Sequence, residues 1–464
     1  MPGNGHIFQV LFQYLRQTVY LSSTKKTAML LRKILLPVLI ALSNFITAQT
    51  RPNIIYIMAD DMGYADLSCY GRKDYQTPNL DKLASQGLKF INAYTGAPLC
   101  TPTRVSFMTG RYPARTAVGL IEPLAGSKQD SAIGLTPDQT SLPALLKKSG
   151  YETFLIGKWH LGFLPAFSPN KNGFDEFFGF HGGGIDYISH TDPNGNNDLY
   201  ENDKPVSKDG YITDLIMEKT VDLLKRKHDK PFFLSLMFNA PHWPWQKPGD
   251  KVYPTGVRNW TEGGSPETFA AMIKSMDDAI GTILKTLDET KLSANTVVIF
   301  TSDNGGERFS DMGIYSGRKG ILREGGIKVP AFIRWPGKIL PNSVTNQVAI
   351  TMDWTATILA LAKTNADPNF PLDGFNLMPV CIGEKEPVDR TFYWRVFQRN
   401  QQNAMRDGNW KYLKDEKGEY LFDLLTDAAE KNDLKEIKKD IFERLKQKYS
   451  EWEKTVLKPV ALAR

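Results

Sequence analysis

Three cysteines, Cys69, Cys100 and Cys381, are all that 464 residues offer, so at most one disulfide can form. An excess of one charge is missing too. The formal net charge of +6 falls to +1 once residues 1–48 are set aside, because that stretch carries Arg16, Lys25, Lys26, Arg32 and Lys33 and no acid. The remainder has no basic surplus with which to recruit a nucleic acid. The apolar run from Ile34 to Leu42 is too short to span a bilayer stably. No Gly-x-Ser-x-Gly elbow occurs, which excludes an esterase although His181-Gly182-Gly183-Gly184 has the look of an oxyanion loop. Internal repeats and low-complexity tracts are absent as well.

What is present begins with a leader. Arg32-Lys33, the apolar run and the small residues up to Thr47-Ala48 have the layout of a secretory signal, cut most simply after Ala48. An exported protein, periplasmic or secreted, is expected. Met29 opens an ordinary-looking signal, so residues 1–28 read as an over-extended start or a long leader. No cysteine stands at the cleavage position to take a lipid anchor. The length implies one large domain and a smaller one. The irregular stretch from Asp373 to Asp389, with Pro379 and Pro387, places the boundary, giving 49–378 and 379–464.

Four apolar runs read as strands covered on both faces: Asn53–Ala59, Thr153–Gly157, Pro231–Phe238 and Thr296–Ser302. Each runs out into polar residues, respectively Asp60-Asp61, Lys158-Trp159-His160, His242 and Asp303-Asn304. Open α/β sheets bind ligands at the C-terminal ends of such strands. Adjacent carboxylates repel unless water or a cation separates them. Asp60, Asp61, Asp303 and Asn304 are all oxygen donors, a set that suits calcium or magnesium rather than zinc. A helix is expected from Ile212 to about Lys227, a long amphipathic one at Glu267 to Leu287, and another from Asp353 to Ala362. Residues 165–210 read as a long loop. Within it Asp192, Asn194, Asn196 and Asp198 imitate a calcium loop, but Asn197 and Asp203 stand where a glycine and a glutamate are required. Beyond 390, four short antiparallel strands precede a helix whose apolar stripe is Leu434, Ile437, Ile441, Leu445, Tyr449, Trp452 and Val456.

Everything catalytic is arranged around Leu99-Cys100-Thr101-Pro102-Thr103-Arg104. Pro102 suits a first helical position, which would leave Cys100 at the mouth of a helix whose free N–H groups favour anions. Cys-x-Pro-x-Arg followed by Thr109-Gly110-Arg111 resembles the maturation signature of the formylglycine-dependent (type I) sulfatases, of the alkaline-phosphatase-like superfamily. The resemblance runs from Pro52 onward and takes in Gly63-Tyr64-Ala65-Asp66. It implies an α/β fold with a large mixed, mostly parallel sheet flanked by helices, and a smaller C-terminal α+β domain with a short antiparallel sheet and a terminal helix.

In that family the cysteine is oxidised to formylglycine by a formylglycine-generating enzyme. Transferred residue by residue, the resemblance implies a Ca2+ held by Asp60, Asp61, Asp303, Asn304 and the modified Cys100. Lys158 and Lys319 would meet sulfate oxygens, Arg104 would hold the nucleophile, His160 would serve the geminal diol and His242 would protonate the leaving oxygen, the two histidine roles being exchangeable. One hydroxyl of the hydrated aldehyde attacks sulfur, and collapse of the sulfated hemiacetal releases sulfate. The implied substrate is a sulfated carbohydrate, polysaccharide or oligosaccharide, with His181, Asp186, His190, Trp243 and Arg323 as rim candidates that also read as ordinary structural residues. A phosphonate monoester or phosphodiester hydrolase of the same superfamily, or an inactive glycan-binding protein, is the alternative. With Cys100 committed, Cys69 and Cys381 are either a bridge or two inert thiols.

Overall fold

Asn53–Ala59 is buried along its whole length, which only a central strand with helices on both faces allows. The computed structural model describes residues 51–125, 132–252, 260–398 and 400–460; the leader and the expected cut after Ala48 lie outside them. The strands are β1 (Asn53–Ala59), β2 (Leu88–Tyr94), β3 (Glu152–Lys158), β4 (Glu176–Phe180), β5 (Tyr200–Glu201), β6 (Lys204–Pro205), β7 (Phe232–Met237), β8 (Thr296–Ser302), β9 (Lys328–Arg334), β10 (Ser343–Thr345), β11 (Ala349–Ile350), β12 (Thr391–Val396), β13 (Gln402–Asp407), β14 (Trp410–Asp415) and β15 (Gly418–Asp423). The helices are α1 (Pro78–Ser85), α2 (Cys100–Thr109), α3 (Leu142–Lys148), α4 (Ile212–Lys225), α5 (Pro266–Glu289), α6 (Glu324–Ile327), α7 (Thr351–Leu361), α8 (Met378–Cys381) and α9 (Lys439–Glu453).

Among the described residues the first eleven strands form one sheet in the order β10-β2-β9-β8-β1-β7-β3-β4-β5-β6, with β11 also on β2. The centre, β8-β1-β7-β3-β4, is parallel, whereas β9 runs antiparallel to both β8 and β2. Alternation along β1 sorts the core. Ile54, Tyr56 and Met58 join one layer with residues of α2, α3 and α7, and Ile55, Ile57 and Ala59 join the other with residues of α1, α4 and α5. Each buried Ile or Met among them contributes about 1.5–3 kcal/mol. Cys69 packs against the second layer and Cys381 lies in the first. Both are free thiols on opposite sides of the sheet, so no bridge joins them.

β12 to β15 form a separate antiparallel meander. Its inner face shares a third core with α9 and with Tyr94, Leu99 and Leu322 of the large layer. The sheet therefore backs directly onto the segment that leads to Cys100. Among the described residues no helix is long and apolar enough to cross a membrane.

Two expectations need correction. Residues 165–210 are not one loop, because Glu176–Phe180 is an inner strand of the sheet; five residues, with Gly179 interrupting the phenylalanines, are too few for periodicity to declare. The C-terminal stripe is helical only over Lys439–Glu453, which leaves Val456 beyond its end. Leu434 and Ile437 precede it, and Ile437 is exposed.

Candidate active site

Register brings the acidic residues together. Ala59 pairs with Ser302 at the parallel ends of β1 and β8, so Asp60-Asp61 and Asp303-Asn304 leave the sheet side by side. Asp61 takes a left-handed backbone (φ 64°), a conformation that aspartate tolerates better than most residues. Its N–H donates to Asp303 Oδ1 (3.2 Å) and its Oδ1 accepts from Asn304 Nδ2 (2.7 Å). All four side chains are buried.

The helix carrying Cys100 begins two residues earlier than proline placement suggests. Leu99 is the N-cap and Cys100 the first helical residue, with Pro102 third. At that position its missing N–H is still one the helix could not have used. Thr103 Oγ1 donates to Ala97 O (2.8 Å) and closes the turn into the helix. Thr101 Oγ1 donates to His160 O (3.2 Å). Gly110, left-handed at φ 68°, ends the helix. Cys100 Sγ stands 3.5 Å from Asp60 Oδ1 and 4.0 Å from Asp61 Oδ1. One turn on, Arg104 donates through Nη2 (2.8 Å) and Nε (3.1 Å) to Asp303 Oδ2.

Two lysines close the cluster. Lys158, the last residue of β3, reaches Asp60 Oδ2 (2.5 Å), and Lys319 reaches Asp61 Oδ2 (2.7 Å). Three buried carboxylates thus face three buried cations. His242 Nε2 lies 3.6 Å from Asp61 Oδ2, while its Nδ1 donates to Trp243 O (2.6 Å). His160 donates through Nε2 to Leu124 O (2.8 Å), which leaves Nδ1 buried without a partner. A carbonyl only accepts, so each neutral imidazole keeps one basic nitrogen free. Burial, with Lys158 next in weight, holds His160 well below the usual imidazole range; burial also depresses His242, against the pull of Asp61.

The glycine run that resembles an oxyanion loop lies against both rings. A Cβ on Gly183 would sit 2.7 Å from His160 Cε1, and one on Gly184 3.2 Å from His242 Cε1. Asp198 accepts from the N–H groups of His181 (3.2 Å) and Gly182 (2.9 Å), holding this loop in place.

Burial would raise the Asp61 carboxyl, but Lys319, His242 and Lys158 outweigh it and keep the group at about 2. Burial, with Asp60 alongside, lifts Asp303 to about 6 despite Arg104. Burial and the Asp303 charge push the Cys100 thiol well above its usual range. The donors fit a hard cation. Asp60, Asp61 and Asp303 converge, and the buried Asn304 Oδ1 has no hydrogen-bond partner. Asp60, Asp61, Cys100 and His242 each offer an atom within 4.8 Å of the others, although the sulfur and imidazole of that set favour softer metals than calcium.

All ten residues singled out in the sequence meet here. Of the rim candidates only Trp243 does, its ring 4.2 Å from that of His242 and 5.9 Å from Lys319 Nζ. His181 is buried edge-on between Phe177 and Tyr200. Asp186 caps its own turn and accepts from Gln246, and His190 bonds Gly210 O. Arg323 stacks on Tyr420 and Phe422 and donates to Glu430 O. The carboxylate of Asp192 accepts from Asn194 N and Asn196 N, closing its own loop.

The sulfatase family model matches residues 52–364, and the model for the C-terminal part of N-sulphoglucosamine sulphohydrolase matches 311–455. Human N-acetylgalactosamine-6-sulfatase is 33% identical over 365 residues, covering 74% of this chain and 68% of its own. Human arylsulfatase A is 33% identical over 412 residues, covering 80% and 76%. The solved structure of Ps i-CgsB in complex with k-i-k-neocarrahexaose superposes with a TM-score of 0.78 at 31% identity, covering 89% of this chain and 95% of the other.

Proposed function

The chain belongs to the sulfatase family, and from that premise we propose that it is an exported enzyme that hydrolyses sulfate monoesters on carbohydrates, using a formylglycine made from Cys100 and a bound calcium. One observation carries the reading. Cys100 is buried at a point where three carboxylates, Asn304, two lysines and two histidines converge. As a plain thiol it would be a poor nucleophile, because the site holds it protonated. Conversion to formylglycine gives the position an aldehyde whose hydrate carries an oxygen nucleophile and a second hydroxyl for expelling sulfate.

Asp60, Asp61, Asp303 and Asn304 would hold the calcium, which when bound polarises sulfate and nucleophile oxygens. The chain's own residues do the rest. Lys158 and Lys319 hold the sulfate oxygens as charge builds on them. Arg104 keeps Asp303 ionised and aimed at the cluster. His160, with Nδ1 free, takes a proton beside position 100; His242 protonates the departing alcohol from Nε2 only after that free nitrogen has itself taken up a proton, and the free nitrogens are compatible with the exchanged roles as well. Trp243 offers an aromatic face next to His242 for the sugar. Sulfated carbohydrates are favoured because the relatives include N-acetylgalactosamine-6-sulfatase and a protein solved with a neocarrahexaose.

The test compares an aryl sulfate with matched phosphonate monoesters and phosphodiesters, using protein whose residue-100 peptide carries the aldehyde by mass spectrometry. Preferential turnover of the sulfate is expected. Preference for the phosphoesters would move the chain to the other hydrolase class, and no turnover of either by aldehyde-bearing protein would leave a binding role.

A further inference from the structure

Lys319 stands on a loop that the C-terminal meander holds from behind. Its backbone N–H donates to Gly306 O (3.1 Å), and the next N–H, of Gly320, donates to Pro98 O (2.8 Å), two residues before Cys100. Gln402, the first residue of β13, grips the far side of this short segment. Its Nε2 donates to Gly320 O (3.0 Å) and its Oε1 accepts from Leu322 N (2.8 Å). The side chain is buried, at 4% exposure. Glu430 fixes the ends of the loop instead, accepting from Ser316 Oγ (3.1 Å) and Glu324 N (2.7 Å), while Lys411 pairs with both Glu430 (2.8 Å) and Glu324 (2.9 Å).

We propose that Gln402 is a positioning residue for Lys319: one primary amide clips the backbone on both sides of Ile321 and so fixes where the ammonium stands against Asp61. The physical reason lies in the lysine stem: its carbons are flexible and do not fix the charge by themselves, so a held backbone narrows the positions the ammonium samples. Donor and acceptor are both needed. Glutamine supplies the pair within one planar group, whereas an aliphatic residue would leave Gly320 O and Leu322 N buried and unpaired. The inference rests on the proposed role of Lys319 at the sulfate.

Steady-state turnover of an aryl sulfate, with inorganic sulfate as competitive inhibitor, tests it in matured full-length protein carrying Lys319→Ala, Gln402→Leu or both. Gln402→Leu is expected to lose about 10- to 100-fold in kcat/KM and to bind sulfate more weakly. The double variant should be no worse than Lys319→Ala alone, because the clip has nothing left to position. Independent, multiplying losses, or parental kcat/KM in Gln402→Leu, would overturn the proposal. Should Gln402→Leu fail to fold, Gln402→Glu keeps the volume and the acceptor for Leu322 N but sets an oxygen against Gly320 O; the same coupling is expected, and its absence counts equally against the idea. Gln347, a buried amide that clips Val388 elsewhere (Val388 N to Oε1, 2.9 Å; Nε2 to Val388 O, 3.1 Å), is the control. A loss in Gln347→Leu equal to that in Gln402→Leu would mean general loosening and overturn the assignment. Parental activity in Lys319→Ala would instead refute the reading of the site itself.

Discussion

At the scale of single residues, the site is a balance of buried charges that no one residue could maintain. Asp60 with Lys158, Asp61 with Lys319 and Asp303 with Arg104 are mutually dependent, and stranding one partner costs several kcal/mol. Cys100 is outside that balance because it is neutral. Cys100→Ala is therefore expected to abolish turnover while changing stability by only about 1 kcal/mol; activity assays and denaturant melts of the two proteins check this together. His181 gives a different prediction. Burial holds its pKa down at about 4 against an ordinary 6.5. As pH falls through 6.5 the unfolded chain gains a proton that folded His181 refuses until about 4, so this group makes stability fall with pH across that window. His181→Phe should fill the same slot between Phe177 and Tyr200 and spare about 2 kcal/mol of the loss between pH ~7.5 and pH ~5. Denaturant midpoints at the two pH values measure it, and an unchanged acid limb would refute the burial argument. The cluster residues were legible in the sequence because motif and strand end lie within a few positions of each other. Gln402 was not, since nothing near a strand-initial glutamine announces a lysine loop 82 residues away.

At the scale of elements, what places the chemistry is where strands end and how closely loops approach them. The four central strands could be read from continuous apolar runs, because a strand buried on both faces has no alternation to hide. β2 escaped notice, as Lys89, Asn92 and exposed Ile91 interrupt its apolar residues. β4 was missed for its brevity. The start of α2 differed from expectation because Pro102 is tolerated anywhere in the first turn, so its presence does not fix the first residue. The loop over the histidines leads to a further prediction. Gly183→Ala would press a methyl onto the His160 ring, and a turnover loss of about 10-fold or more is expected from the displaced imidazole. Circular dichroism and melting temperature should stay near parental values. Full activity would show that the ring can move aside without consequence.

At the scale of the whole molecule, two sheets meet behind one site. Strand ends of the large sheet carry Asp60, Asp61, Lys158 and Asp303, and α2 brings Cys100 to them, while the meander secures the segments that bear Cys100 and Lys319, through Trp394 Nε1 to Thr95 O (2.7 Å) and through Gln402. The meander itself was legible from alternating short strands, but its contact with the site was not, because partners in a third core are set by tertiary packing rather than local pattern. A cation bound by three buried carboxylates should stabilise this whole unit. Calcium at about 100 times its Kd is expected to raise the melting temperature by about 2–3 °C, and chelation should remove both the shift and the activity. An unchanged melting temperature would argue against a calcium site at Asp60, Asp61, Asp303 and Asn304.

The most direct measurement is sulfate release, followed by ion chromatography, from a panel of defined sulfated algal and glycosaminoglycan oligosaccharides, with matured protein and its Cys100→Ala variant side by side. The account predicts sulfate from at least one glycan with the parent and none with the variant. Sulfate release that survives Cys100→Ala, or none from any glycan by aldehyde-bearing protein that still cleaves an aryl sulfate, would contradict it.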